Sequence, residues 1–360
     1  MAEFPDPGPV ALFGSGETSR VGGNVFERLA ARGGGHGPYR ISILETPAGF
    51  EPNSDRVAGR IADFLRRRLE NRRPEIEIIP ARQRDTPFSP DDPALLAGLL
   101  RADLVFLGPG SPTYAVRQLR DSLAWHTLLA RHRLGATTVF ASAAMIAIGA
   151  SALPVYEIYK VGEPVHWTEG LDLFGAYGLS LAFVPHWNNT DGGEELDTSH
   201  CYMGEKRFEA LRALLPPDRT IVGVDESTAL VAELSAGRGE VVGQGTVTIL
   251  RGGREQRFAA GQSFDLGILG PFDKRSGRGA IPSAVWDAAV AATASPAVRP
   301  PVVVPDEVKT LVEARQTARE RHDWGEADTL RKRIGALGWK ITDTPEGQVI
   351  EARPAGASDE

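Results

Sequence analysis

Cysteine is almost missing from this chain. One residue, Cys201, stands among 360, which excludes an internal disulfide and any cysteine-rich zinc site. Long apolar runs are missing as well. The longest candidate, around Val139 to Leu153, is short and broken by Ser142, Gly149 and Ser151, so no transmembrane helix and no membrane partner are expected. The first residues, Met1-Ala2-Glu3-Phe4-Pro5-Asp6-Pro7, carry neither a basic n-region nor an apolar h-region, and a cytoplasmic protein is the expectation. Nor is there an excess of positive charge. The formal net charge of -7 argues against general polyanion binding but leaves room for a local basic face. The turn Phe13-Gly14-Ser15-Gly16-Glu17 lacks a complete dinucleotide fingerprint, and no cofactor is expected.

What is present is an alternation of strand and helix patterns. Short apolar runs at Pro9–Phe13, Arg40–Leu44, Ile76–Ile79 and Asp103–Leu107 read as buried strands. Between them, Val57, Ile61, Phe64 and Leu65 recur at helical spacing. This alternation predicts an α/β domain, a parallel sheet with helices on both faces. From Thr228 to about Gly270 the pattern changes to glycine-punctuated strands, which read as antiparallel hairpins finishing that domain. The chain then divides as an α/β domain over 1–293, a proline-rich spacer over 294–305, a small helical domain over 306–352 and a disordered tail over 353–360. In the helical domain, Val308, Leu311, Val312 and Arg315 form one helical pattern and Ala327, Leu330, Ile334 and Leu337 a second. A hairpin follows over Trp339–Ile350, turning at Pro345–Gly347.

Three apolar segments each deliver a polar residue at the C-terminal end: Thr137–Ser142, Leu181–His186 and Thr220–Glu226. In open α/β sheets ligands bind beyond strand C-termini, so three such ends can share a crevice. A serine needs a base to take its proton, and the imidazole needs an acid to hold its tautomer and stabilise its cation. Ser142, His186 and Glu226 are therefore the candidate catalytic residues, with Asp225 an immediate rival to Glu226 and a simple N-cap the bland reading of Ser142. The glycine turn Leu107-Gly108-Pro109-Gly110-Ser111 precedes a helix, so the Gly110 and Ala143 amides are candidate oxyanion donors. Glu17, Ser111, Asn188 and Asn189 are candidate substrate-facing residues. His186, Asp191, Glu194, Glu195, Asp197 and His200 share one polar segment, but their spacing matches no metal-ligand motif, and a substrate-facing loop is the favoured reading over a metal site.

At these residues the chain resembles the dipeptidase E and cyanophycinase family of serine peptidases, over roughly Val10 to Leu234. The resemblance runs through Gly108-Pro109-Gly110-Ser111, Ala141-Ser142-Ala143-Ala144, Pro185-His186 and Gly223-Val224-Asp225-Glu226, in that order. It implies a three-layer parallel-sheet sandwich like class I glutamine amidotransferases. It also implies hydrolysis of a peptide or amide bond through an acyl-enzyme, with Ser142 as nucleophile, His186 as base and Glu226 as its partner. One position departs from the family pattern: Ala144 stands where the family has glycine. That departure supports the alternative, an amidotransferase-like binding module without turnover.

The tail resembles the C-terminal helical domain of cysteinyl-tRNA synthetase. The residues are Glu313–Arg319, Asp323–Arg331, Leu337-Gly338 and Asp343-Thr344-Pro345-Glu346-Gly347, covering about Pro305 to Ile350. The synthetase's adenylate-forming signatures and zinc-binding cysteines are absent, so this chain is not expected to charge tRNA. The resemblance implies a tRNA-contacting tail. Arg315, Arg319, Arg331 and Lys332 are its candidate RNA-binding residues, beside Trp324 for stacking.

Overall fold

Valine, leucine and phenylalanine runs too short for helices make the central strands. β1 (Val10–Phe13), β4 (Leu104–Leu107) and β5 (Thr137–Ala141) are buried along their whole length, as expected of strands covered on both faces. With β2 (Arg40–Leu44) and β3 (Glu75–Ile79) they form a parallel set in the order β1-β5-β4-β2-β3. The computed structural model describes residues 6–32, 38–274, 280–294, 306–337, 339–344 and 347–352. The chain divides into two units, Met1–Ala294 and Ser295–Glu360. Residues 295–305 of the expected spacer, the turn residues 345–346 and the expected tail 353–360 lie outside the described residues.

The single parallel sheet expected from the sequence is replaced by two mixed sheets. β6 (Ser151–Ala152), β7 (Thr168–Glu169), β8 (Leu181–Val184) and β9 (Thr220–Val224) belong to a second sheet. The later strands are β10 (Thr228–Glu233), β11 (Arg238–Gly243), β12 (Thr246–Arg251), β13 (Arg254–Ala259) and β14 (Ser263–Asp265), and they split between the two. β10 pairs antiparallel with β1, and β11 and β14 extend that edge to give eight strands. β12 pairs antiparallel with β9, and β13 closes the six-stranded sheet. The chain crosses from β11 to β12 at Gly243, with φ 136° and the space of its missing Cβ taken by the Ser227 carbonyl oxygen. Only glycine suits that backbone.

Alternation along β1 separates two cores. Ala11 and Phe13 face the helices α1 (Arg20–Arg32) and α2 (Ser54–Arg68), where Phe26, Leu29, Ile61 and Leu65 cover them. Val10 and Leu12 face the other way, into a core shared with Phe183, Val222 and Val224 of the second sheet. Each large apolar side chain buried here stabilises the fold by roughly 1.5–3 kcal/mol. The helices α3 (Pro112–Leu119) and α4 (Leu123–Arg133) and the short α5 (Ala143–Ala147) follow β4 and β5.

The second unit consists of helices Asp306–Glu320 and Trp324–Ala336 with an antiparallel pair, β15 (Trp339–Thr344) and β16 (Gly347–Ala352). Val308, Leu311, Ala318, Leu330, Ile334 and Trp339 form its core. Among the described residues, no helix is long and apolar enough to cross a membrane.

Candidate active site

Ser142 joins β5 to α5 with φ 52° and ψ -114°, a backbone conformation costing a side-chain-bearing residue about 1–3 kcal/mol. Two backbone bonds hold this turn: the Ser142 N–H donates to the Phe13 carbonyl at 3.1 Å and the Ala144 N–H to the Gly108 carbonyl at 3.3 Å. The hydroxyl makes no helix-capping bond. Its Oγ lies 2.9 Å from His186 Nε2 instead.

His186 follows β8 and is itself left-handed, with φ 49°. Trp187 N donates to the Val224 carbonyl at 3.1 Å, tying this turn to the end of β9. His186 Nδ1 lies 3.0 Å from Glu226 Oε1. With the carboxylate accepting from Nδ1–H, Nε2 is left free to take the serine proton. The Glu226 amide donates to Asn188 Oδ1 at 2.8 Å, and Asn189 Nδ2 donates to Glu226 Oε1 at 3.0 Å. Of the two asparagines expected to face substrate, Asn188 thus holds the Glu226 backbone and Asn189 its carboxylate in this structure. Asp225 faces elsewhere, its Oδ2 accepting from Thr246 N at 2.7 Å and Thr246 Oγ1 at 2.8 Å. Ser142 follows a strand of one sheet and His186 and Glu226 follow strands of the other; Ser142 and His186 line a single cleft, with Glu226 behind the His186 ring.

That cleft holds about 420 Å³. Gly110 borders it with φ 146°, and a Cβ there would sit 1.9 Å from the Pro47 carbonyl oxygen, so no side chain fits. Among the described residues, neither the Gly110 nor the Ala143 N–H donates to a protein acceptor. Ala144 is 1% exposed and packs in the core between the sheets, so its methyl group does not narrow the cleft. Ser111 uses its hydroxyl to cap α3, accepting from Tyr114 N at 3.2 Å. Glu17 is half-buried in a loop whose Ser15 hydroxyl accepts from Ser227 N at 3.1 Å. Burial pushes its carboxyl above the usual carboxylate range, against a backbone hydrogen bond and the field of His186.

The opposite wall escaped the sequence reading. Val155, Tyr156, Tyr159, Lys160 and Tyr202 line it. Two tyrosines and a lysine within Tyr156–Lys160 were a visible signal. The path of Tyr202 was not, because His200, Cys201 and Tyr202 are consecutive left-handed residues (φ 53°, 59° and 66°). The turn is fixed by Cys201 N donating to the His186 carbonyl at 3.1 Å, and by the His200 ring between Trp187 and Phe208, each centroid at 4.3 Å. Tyr202 Oη donates to Asp191 Oδ2 at 2.7 Å, holding that carboxyl below its ordinary range. Asp197 Oδ1 accepts from the Ser199 amide, so Asp191, Asp197 and His200 each have protein partners. Among the described residues, no three metal-ligating groups come together.

In the second unit, Arg315 corrects an expectation. It is 3% exposed, since it falls on the stripe Val308, Leu311, Arg315, Ala318 that packs inward, and it is not part of a basic surface. Arg331 and Lys332 are exposed. The Arg319 guanidinium lies 5.7 Å over the ring of Trp324, which is 56% exposed.

Comparison with known proteins separates the two units. The first has the fold of a peptidase from an acI-B1 Actinobacterium, with a TM-score of 0.58 and 23% identity over 72% of this chain and 97% of that one. Residues 303–350 match the cysteinyl-tRNA ligase anticodon binding domain. In that region the chain is 44% identical over 58 residues to cysteine–tRNA ligase 1 of Burkholderia lata, covering 16% of this chain and 12% of the ligase. It is 52% identical over 48 residues to the cysteine–tRNA ligase of Methanosarcina acetivorans, covering 13% and 10%. The chain thus spans about a tenth of the length of the curated relatives it matches.

Proposed function

We propose that the chain is a serine hydrolase of a peptide or amide bond, with a class I glutamine amidotransferase-like core and a tail that docks tRNA. Ser142 Oγ attacks the substrate carbonyl while His186 Nε2 takes its proton. Glu226 stabilises the imidazolium, and the Gly110 and Ala143 amides receive the oxyanion. His186 returns the proton to the leaving amine, and water then cleaves the acyl-enzyme by the same route. The observation carrying this reading is the chain of contacts Ser142–His186–Glu226, at 2.9 and 3.0 Å.

A fluorophosphonate probe tests it. The native protein is labelled and Ser142→Ala is not; an unlabelled native protein would sink the hydrolase reading. The rival reading, an amidotransferase-like module without turnover, draws on Ala144, and an unlabelled native protein would favour it.

For the tail, the similarity of residues 303–350 to an anticodon binding domain supports a tRNA contact through Arg319, Trp324, Arg331 and Lys332. Such a partner fits a cytoplasmic protein. An RNA-binding assay with and without residues 305–360 checks this, and equal binding by both removes the tRNA role. Together the two halves describe a hydrolase brought to an aminoacyl or peptidyl substrate on RNA.

A further inference from the structure

A second cleft lies at the other end of the main sheet, and no step of the proposed hydrolysis uses it. It holds about 520 Å³. Its wall is built where strands begin: Pro9 before β1, Arg40 at the start of β2, Asp103 before β4 and Thr137 at the start of β5. Arg72 and Arg73 join from the turn leading into β3. Ser142 lies five residues along from Thr137, roughly 16 Å away at the usual rise of an extended strand. A ligand in this cleft leaves the nucleophile open.

Five guanidinium groups line the space: Arg32, Arg40, Arg72, Arg73 and Arg131. Among its described lining residues the acid is Asp103. Protein partners occupy part of this set. Arg131 is buried, donating from Nε and Nη2 to the Ala102 carbonyl at 3.1 and 2.8 Å, and Arg32 pairs with Glu233. Arg40 Nε is 3.7 Å from Asp103 Oδ2, an oxygen that already accepts from the Arg40 amide at 2.9 Å. Arg72 and Arg73 are exposed, and neither forms an ion pair with a described acidic residue. Arg73 is held left-handed at φ 48°, its N–H donating to the Glu70 carbonyl at 2.9 Å, so a fixed turn presents the pair.

Gathering like charges with little counter-charge disfavours the fold unless an anion joins them. Planar guanidinium forks suit phosphate oxygens. Among the described lining residues the aromatic ring is that of Tyr39, which is buried, so they offer no platform on which bases could stack. The contact on offer is therefore to a backbone, blind to sequence. The helix Ser283–Ala294 ends here with Thr293 in the wall, so the chain leaves the first unit beside this cleft. The residues that follow lead to the segment similar to an anticodon binding domain. RNA held by that segment is tethered to the first unit, which raises its effective concentration there.

We infer that the arginine cleft binds the phosphate backbone of the RNA that the second unit docks, a sequence-independent second contact. This rests on the tRNA part of the proposed function. The test is the affinity of the full chain for an unmodified tRNA transcript, measured by fluorescence anisotropy between about 50 and 200 mM salt. The double variant Arg72→Glu/Arg73→Glu lowers affinity about tenfold or more and reduces the log–log salt slope by about 2. Fluorophosphonate labelling of Ser142 stays unchanged and reports the intact fold. Unchanged affinity and slope in the variant overturn the inference, as does a native chain that binds no transcript.

Arg331→Glu/Lys332→Glu separates this inference from the tail reading. If that variant alone weakens binding, the tail docks RNA and the cleft does not. If the cleft variant alone weakens it, the cleft binds RNA by itself, and both the tail's role and the tethered second contact fall. Inorganic phosphate is the remaining arm. Saturable phosphate binding that the cleft variant abolishes, with tRNA affinity unchanged, identifies a small-anion site and overturns the inference.

Discussion

His186 and His132 each bring Nε2 within hydrogen-bond distance of a hydroxyl, Ser142 at 2.9 Å and Tyr177 at 2.6 Å. Their surroundings differ in every other respect. His186 stands on a left-handed backbone, its side chain is 18% exposed, and Glu226 lies behind its second nitrogen. His132 sits within the regular helix α4 at 1% exposure, and among the described residues its Nδ1 has no hydrogen-bond partner. Burial, with Arg133 adding to it, drives the His132 pKa down to about 3. An imidazole beside a hydroxyl is thus no base by itself. It needs an acid to receive the positive charge, and an opening through which a substrate can arrive.

The largest break in this comparison comes from removing the acid. Glu226→Gln lowers the hydrolytic rate by about 10³–10⁴, because the amide cannot stabilise an imidazolium and favours the wrong tautomer. Asp225→Asn, one residue earlier, leaves the rate within a few-fold and costs stability by about 1–3 kcal/mol through its bonds to Thr246. Steady-state rates and urea unfolding of both variants check the pair. Equal rate losses would mean that Asp225 shares the role given to Glu226.

His132 gives the next effect, read in stability. Its folded ring titrates at about 3, against 6.5 for the ordinary group, so acid favours the unfolded chain. The stability it contributes is whole above pH 6.5 and is lost as pH falls from there toward 3, at up to roughly 1.4 kcal/mol per pH unit. Urea midpoints from pH 7 to 4 therefore fall more steeply in the native protein than in His132→Gln. Parallel acid limbs would contradict the assignment.

Smaller still is Ala144→Gly. It costs about 1 kcal/mol from helix propensity and lost packing, with hydrolysis within about twofold. A large gain in activity would mean that the methyl group does reach the cleft. Least of all, Cys201 beneath His186 is buried and its thiol is pushed up to about 12, so iodoacetamide adds no mass to the native protein at neutral pH. Rapid alkylation would show that the left-handed turn holding it opens.

Much of this arrangement was legible in the sequence, for a local reason. Ser142, His186 and Glu226 each close an apolar run short enough to be a strand, and runs of that kind carry their last residue to a sheet edge. Which sheet they join was not legible. Buried runs such as Leu181–Val184 and Thr220–Val224 look alike in either sheet, and only pairing with the β12 hairpin distinguishes them. The tyrosine wall was hidden for a different reason: Tyr202 arrives through three residues in a conformation that sequence pattern disfavours. Arg315 shows the reverse, since its spacing with Val308 and Leu311 marked an inward position that its charge obscured.

The seam between the two sheets passes through the proposed proton path, with the alcohol on one side and its acceptor and counter-charge on the other. Chemistry would then act as a gauge of how the layers are seated. A slip of about one ångström along that seam would silence turnover while leaving every strand intact. An inhibitor bonded to Ser142 and held by His186 would act as a rivet across the interface, raising the force needed to shear the layers apart.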